Sequence, residues 1–358
     1  MEPRFNAAFW RGKRVFVTGH TGFKGSWLCR ILLKAGAKVT GYSLEPPTDP
    51  SLFEVAGIGA DLGERSVIGD VRDYNALRSA VSDASPQVVL HLAAQPIVLT
   101  GYREPRYTYE TNVMGTVNLL EAVREVGGAK SVVNVTTDKV YFNAEREGYG
   151  YREDDPLDGY DPYSNSKSCS ELVTHSYAKS FLAEAGVAVS TARAGNVIGG
   201  GDFAPNRIVP DCVRAVEAGK PLVVRNPFST RPYQHVLEPL FAYLTIAERQ
   251  WDDPALAGAY NVGPDDCDCV TTGDLVSLFD ESWGEGFSWV NAAKDEGAPH
   301  EANFLKLDNG KLKATFGWAP RWHIAEAIGA TVEWSRAYLA GGDVRQVMDA
   351  QIEEFLQG

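Results

Sequence analysis

The chain has 358 residues, 44% of them apolar and 23% charged, with a formal net charge of −13. That length suits one large α/β unit or two domains sharing a cleft, and it is enough to bury a substantial core. The acidic balance excludes a broad nucleic-acid footprint, and no apolar run approaches the roughly 20 residues of a membrane span.

The opening Met-Glu-Pro-Arg-Phe-Asn lacks a basic segment followed by an apolar one, so no secretory signal is read there and a cytoplasmic protein is expected. From Lys13 to Arg193 short apolar runs alternate with longer helical patterns, the mark of a parallel sheet flanked by helices. Six strands are predicted, over residues 14–18, 38–42, 65–68, 87–90, 131–135 and 187–192, which suits a doubly wound, Rossmann-type α/β sheet. A helix is predicted near Tyr107 to Val126, with Val113, Val117, Leu120 and Val123 on one side. A second is predicted near Ser164 to Phe181, where Cys169, Val173, Tyr177 and Phe181 recur every fourth residue.

After about residue 194 the alternation lapses and Gly, Pro and Trp become prominent, as in Phe316-Gly-Trp-Ala-Pro-Arg-Trp322. Residues 1–193 are therefore read as a dinucleotide-binding domain, rejoined by about 235–263. That stretch holds a helix at 237–250 and a short strand at 260–263 that can return to the sheet. Residues 194–234 and 264–358 are read as a smaller mixed α/β substrate-binding domain. The five cysteines, Cys29, Cys169, Cys212, Cys267 and Cys269, form an odd, scattered set. Only Cys267 and Cys269 are close, at a spacing too tight for the usual zinc pair, so free thiols and no metal are expected.

Three clusters carry chemistry. Thr18-Gly19-His20-Thr21-Gly22-Phe23-Lys24-Gly25 directly follows the first strand and opens a helix. Glycines there permit a tight turn and let backbone N–H groups approach a pyrophosphate at the positive end of the helix. Gly19, Gly22, Phe23 and Gly25 are thus cofactor candidates. Asp70, after the third strand, is placed to accept from an adenine amino group or to cap the next helix. The second strand ends in Gly41-Tyr42-Ser43-Leu44-Glu45, without an acidic residue at the first position beyond the apolar run. NAD is expected, and because Lys24 and His20 can lie near phosphates, NADP stays open as the less favoured alternative.

Tyr163 and Lys167 stand four residues apart, on one helical face. A free phenol titrates near 10, and a neighbouring ammonium and a cationic nicotinamide favour phenolate. Tyr163 can then take the proton of a substrate hydroxyl as hydride leaves the same carbon. Thr137-Asp138-Lys139 closes the fifth strand, where ligands bind in doubly wound sheets.

The three glycines with Tyr163 and Lys167 resemble the extended short-chain dehydrogenase/reductase family. Thr137-Asp138-Lys139 resembles the active-site triplet of its nucleotide-sugar 4,6-dehydratases. Many of these carry Asp-Glu, and an Asp-Lys pair resembles the CDP-glucose branch. Residues 9–27, Arg193 to Asp202 and Arg225-Asn-Pro227 also look like that branch, and the likeness runs nearly the whole chain.

The resemblance implies an NAD-dependent lyase that oxidises C4 of a hexose, eliminates water across C5 and C6, and returns hydride to C6. Tyr163 and Lys167 would serve the hydride steps, and Thr137 would hold the C4 oxygen. Lys139 would take the C5 proton while protonated Asp138 donates to the departing hydroxyl. It further implies substrate contacts at Gln95, Asn196, Arg225, Arg231 and His300, where this sequence lacks the Arg many relatives have near His300. A homodimer, or a dimer of dimers, would pair the two long helices into a four-helix bundle, although burial within the monomer explains the same stripe. A C4 epimerase on this scaffold would need no elimination acid and base, and a non-catalytic NAD-sensing protein would be expected to lose Tyr163 or Lys167.

Overall fold

The computed structural model describes residues 5–291 and 304–357, so His300 lies outside the described residues. The first six strands are β1 (Arg14–Thr18), β2 (Lys38–Ser43), β3 (Ser66–Ile68), β4 (Val88–His91), β5 (Ser131–Thr137) and β6 (Ala188–Ala194). Four short strands follow, β7 (Val197–Ile198), β8 (Leu222–Val224), β9 (Thr230–Pro232) and β10 (Gln234–His235). Then β11 (Ala259–Val262) joins the main sheet, and β12 (Cys269–Thr271) and β13 (Trp289–Asn291) complete the series among the described residues.

The main sheet has the order β3-β2-β1-β4-β5-β6-β11, and every pairing in it is parallel. Chain direction across the sheet reverses between β1 and β4, so a crevice opens at the carboxyl ends of these strands. Both β5 and β6 are buried along their whole length, which is why they read as near-continuous β-branched and small residues. The sheet lies on Val15, Val17, Trp27, Leu28, Leu240 and Tyr243 on one face, and on Phe16, Leu77, Leu119, Leu120 and Val123 on the other. Trp27 is fully buried and its indole N–H donates to Gly200 O at 3.0 Å, tying the first crossover helix to the segment after β7. Truncating such a side chain to Ala costs about 3–5 kcal/mol.

Strand β5 runs two residues past its predicted end, because Thr136 and Thr137 continue the register against Arg193 and Ala194. The helix predicted at 164–181 is α-helical over Pro162–Tyr177 and closes in a π turn at Ala178–Leu182. Its polar side is the buried one: Ser164, Ser166, Lys167, Ser168, Ser170, Glu171 and Thr174 face the sheet and the neighbouring helix. Serine hydroxyls allow this because each finds a partner, as in Ser170 with Asn134 (3.0 Å) and Thr116 (3.0 Å). Of the predicted apolar stripe, Val173 and Tyr177 are half-buried against the core on that face, Cys169 is half-buried and Phe181 is exposed, as is Leu172 beside them.

The smaller region combines three strand pairs, β7/β10, β8/β13 and β9/β12, with helices Ile208–Ala218, Thr272–Trp283 and Ile324–Leu339. Leu275, Val276, Phe279, Ile324, Ile328 and Val332 form its core. The C-terminal helix Val344–Gln357 returns to the first crossover helix Phe23–Lys34 through the Arg30–Asp349 ion pair. No helix among the described residues is long and apolar enough to cross a membrane.

Candidate active site

The glycine loop leaves β1 at its carboxyl end. Gly19 has φ +77°, and a Cβ there would lie 2.8 Å from the backbone N of Ala93. A Cβ on Gly25 would lie 2.1 Å from the carbonyl oxygen of Gly19, so only glycine lets the helix start so close to the loop. Gly22 is the N-cap of helix Phe23–Lys34 and offers no side chain, which leaves the first-turn N–H groups directed at the crevice. This is a cradle with the shape and polarity that a pyrophosphate needs. Phe23 is half-buried beside Gly199.

His20 departs from the expectation that it lies near phosphates. Its ring is fully buried, sits over Gly41, and bonds Ser66 Oγ at 2.9 Å. Burial lowers its pKa to about 4, so it is neutral and offers no charge to a 2′-phosphate. Lys24 does turn toward the crevice. Burial, with Arg207 and Lys167 nearby, brings its pKa down to about 7. The carboxylate of Asp70 is held by Arg72, through its backbone N at 2.9 Å and its guanidinium.

The catalytic candidates converge from two elements. Asp161 caps helix Pro162–Tyr177, accepting from Tyr163 N (2.9 Å) and Ser164 N (3.1 Å), and Pro162 fills the first helical position. Tyr163 therefore sits in the first turn, at the positive end of the helix dipole. Its phenol is buried, and burial pushes its pKa up to about 12 against a hydrogen bond with Thr137. Lys167 is one turn further on, but its ammonium donates to the carbonyl of Val135 at 3.0 Å. Desolvation and the Thr137 hydrogen bond are the largest influences on the Tyr163 phenol in this arrangement. Burial also lowers the Lys167 pKa to about 8, with Glu171 opposing.

Thr137 ends β5, and its hydroxyl donates to Asp138 Oδ1 at 2.9 Å. The Lys139 ammonium reaches the same oxygen at 3.0 Å. Asp138 is fully buried, and its other oxygen, Oδ2, has no partner among the described residues. Thr137, Asp138, Lys139, Tyr163 and Lys167 are thus gathered where the end of β5 meets the start of one helix. The packed arrangement also contains Gly195, whose Cβ position is 3.3 Å from Asp138 Oδ2.

The expected substrate contacts divide. Asn196 lies beside the catalytic pair, its Oδ1 3.4 Å from Lys139 Nζ. Arg231 is buried on β9 and donates to Thr230 O, while Arg225 is exposed after β8. Gln95 is buried with its amide already engaged: Nε2 donates to Thr108 Oγ1 (2.8 Å), and Oε1 accepts from Ile97 N (2.6 Å). Arg207, which no motif singles out, ion-pairs with Asp202 at 3.4 Å and places its charge close enough to bear on Tyr163 and Lys24. Just before β12, whose Val270 pairs with Arg231, Cys267 and Asp268 join His323 to bring three possible metal donors within 4.8 Å of one another. Asp268 spends its oxygens on His323 Nδ1 and Ile324 N, which anchors the start of helix Ile324–Leu339.

Comparison with known proteins agrees with this geometry. The chain is 48% identical over 354 residues to a CDP-glucose 4,6-dehydratase of Salmonella typhimurium, covering 97% of each chain. It is 28% identical over 330 residues to a dTDP-glucose 4,6-dehydratase of Streptomyces antibioticus, covering 90% of this chain and 92% of that one. Among solved structures it resembles a UDP-glucose 4-epimerase of Thermus thermophilus in complex with NAD, with 26% identity, a TM-score of 0.75, and 90% and 98% of the two chains covered. A dTDP-glucose 4,6-dehydratase of Streptomyces venezuelae shares the fold at 24% identity and a TM-score of 0.74, covering 92% of this chain and 98% of that one. Residues 16–331 match the family described as GDP-mannose 4,6 dehydratase, and the chain belongs to that family.

Proposed function

We propose that this protein is an NAD-dependent 4,6-dehydratase that converts CDP-glucose to its 4-keto-6-deoxy product. The observation that carries the dehydratase reading is the Asp138–Lys139 pair, 3.0 Å apart beside Thr137 and Tyr163. An epimerase needs only the tyrosine and its cofactor, whereas elimination needs both an acid and a base. The 48% identity to a CDP-glucose 4,6-dehydratase supports the choice of nucleotide.

NAD fits the residues present: Gly19, Gly22, Phe23 and Gly25 would hold its pyrophosphate, and Lys167 and Tyr163 would serve its nicotinamide. When bound, NAD supplies the hydride acceptor at C4 and the hydride donor at C6. Tyr163 takes the C4 hydroxyl proton, and Thr137 holds that oxygen against the phenol. Because burial raises the phenol, the helix N-terminus, the Thr137 hydrogen bond and the charges of Arg207 and Lys167 have the task of bringing phenolate within reach.

Oxidation at C4 makes the C5 proton acidic. One proton passing from Lys139 Nζ to Asp138 Oδ1 turns an ammonium–carboxylate pair into an amine base and a carboxylic acid, with no change in net charge. Lys139 then removes the C5 proton, and Asp138 delivers its proton to the C6 hydroxyl, which leaves as water. After hydride reaches C6, the Lys139 ammonium returns a proton to C5, and the proton that Tyr163 took from the C4 hydroxyl restores the Lys139 ammonium.

The cofactor-binding unit is assigned to residues 1–193 together with about 235–263, and the substrate-binding unit to 194–234 and 264–358. Asn196 sits close enough to Lys139 to orient both it and the sugar, and Arg231 is the candidate clamp for the diphosphate. Met114, Leu172 and Phe181 leave an exposed apolar stripe on the two long helices, which supports a homodimer joined through them. A cytoplasmic enzyme is the natural setting for a nucleotide-sugar substrate. Purified protein incubated with CDP-, dTDP-, GDP- and UDP-hexoses and catalytic NAD should remove one water from the CDP sugar. Net oxidation with stoichiometric NADH would refute the dehydratase reading.

A further inference from the structure

Glu171 is buried under the active site and plays no part in the chemistry described above. It stands one helical turn beyond Lys167 and two beyond Tyr163, on the side of the helix that faces the sheet. Its Oε1 accepts from the Thr136 hydroxyl, one residue before Thr137. Its Oε2 accepts from Thr191 Oγ1 at 2.7 Å and from Arg193 Nη2 at 2.8 Å, both on β6.

Arg193 is as deeply buried, with 4% of its side chain exposed against 3% for Glu171. Its other amine donates to Tyr141 OH at 2.8 Å and to Glu153 O at 3.2 Å. Tyr141 OH donates onward to Asn261 Oδ1 at 2.6 Å, and the amide nitrogen of Asn261 holds the carbonyls of Tyr151 (2.7 Å) and Asp308 (3.1 Å). A continuous polar chain thus runs from the catalytic helix through β5, β6 and β11 to the segments around Tyr151 and Asp308.

A buried ion pair adds little stability over an apolar replacement, so stability alone does not account for this one. Its placement does. Tyr163 and Lys167 come from the helix, and Thr137, Asp138 and Lys139 come from the strand end. Glu171 is bonded to the strand within one residue of the triplet while belonging to the helix.

We propose that Glu171 is a positioning residue for the dehydratase reaction, clamping the Tyr163/Lys167 helix to the strand end that bears Thr137, Asp138 and Lys139 and supplying the buried counter-charge for Lys167, with Arg193 holding it in place. This rests on the dehydratase reading. The groups that bear on Lys167 are Glu171 on its own helix, Lys24 from the glycine loop and His91 on β4. His91 is neutral, since burial lowers its pKa to about 3, and Lys24 shares the sign of Lys167. Glu171 is therefore the anion that favours the charged form of Lys167.

The test compares E171Q, E171D and the charge-free pair E171Q/R193M as NAD-loaded enzymes, with kcat, KM and their pH profiles measured on the nucleotide sugar that the wild type turns over. Circular dichroism and NAD content establish folding, and E171Q/R193M covers the case in which E171Q leaves Arg193 uncompensated and unfolds. Removing the anion lowers the Lys167 pKa, so the alkaline limb of kcat should move to lower pH by about one unit in E171Q or the double variant. In these variants kcat should drop at least about 10-fold with KM changed less than about twofold, and E171D should restore the limb. Folded, NAD-containing variants with an unshifted limb, or with wild-type kcat, would overturn the positioning role. A wild type that turns over no nucleotide sugar would instead refute the underlying dehydratase reading.

Discussion

The Lys139 ammonium lies 3.0 Å from Asp138 Oδ1, while Asp138 Oδ2 is buried with no partner among the described residues. In the proposed mechanism the first oxygen exchanges a proton with Lys139, and the second lies beside Gly195. In D138N the amide donates no proton, so elimination should stop while C4 oxidation by Tyr163 continues. Turnover should fall about 10²–10⁴-fold, with enzyme-bound reduced nicotinamide accumulating in the near-ultraviolet spectrum. A D138N enzyme that eliminates water at the wild-type rate would remove Asp138 from its role.

Tyr163 gives the complementary result. Y163F keeps the ring in its buried position and removes the group proposed to take the C4 proton. Stopped-flow absorbance should then show no reduced cofactor on mixing with substrate, with kcat down by about 10²–10⁴-fold.

The glycine loop leaves no room for a side chain. In G25A the new Cβ would meet the Gly19 carbonyl oxygen at 2.1 Å, a backbone contact that no rotamer relieves. The loop must shift by more than an ångström, which moves the N–H groups off a pyrophosphate. NAD affinity measured by calorimetry should fall more than about 10-fold, while thermal stability falls much less.

Three histidines make the fold acid-sensitive. Burial lowers the pKa of His20 to about 4 and those of His91 and His235 to about 3. Each stays neutral in the folded chain and takes up a proton near pH 6.5 once unfolded. Their stabilisation is complete above pH 6.5 and is lost as pH falls from there toward 4 and 3. Below pH 6.5 each adds about 1.4 kcal/mol per pH unit to the decline. His235 lies between Trp27 and Trp322, so H235F should be accommodated and should flatten the slope of unfolding free energy by about that amount.

The exposed stripe on the two long helices tests the dimer. Leu172 is 56% exposed and Met114 49%. If they pack against a second copy, L172E should convert a dimer to a monomer by light scattering and leave NAD bound. A wild type that is monomeric at micromolar concentration would contradict the proposed interface.

Much of this was legible in the sequence because it is local. The apolar run at 14–18, the glycines after it, and the Tyr163/Lys167 spacing each announce an element or a motif within a few residues. The helix at 162–177 shows where such reading stops. Periodicity picks out Cys169, Val173 and Tyr177, but the buried face is Ser166, Ser170, Glu171 and Thr174, whose hydroxyls and carboxylate find partners on β5, β6 and the adjacent helix. Hydropathy cannot register a polar face that is satisfied by residues 20 to 54 positions away. His20 and Gln95 are similar: one packs over Gly41 and the other braces Thr108 and Ile97, partnerships that no spacing announces. Arg207 reaches the active site from another region and has no local signature at all.

The central claim is that one enzyme-bound cofactor removes hydride from C4 and returns it to C6 of the same sugar. CDP-glucose deuterated at C4, incubated with the enzyme and catalytic NAD, tests it directly by mass spectrometry and NMR of the product. The expected product is a 4-keto-6-deoxy sugar lighter by one water with the deuterium at C6. Deuterium found in solvent or in released NADH, or a product that retains its C6 hydroxyl, would contradict it.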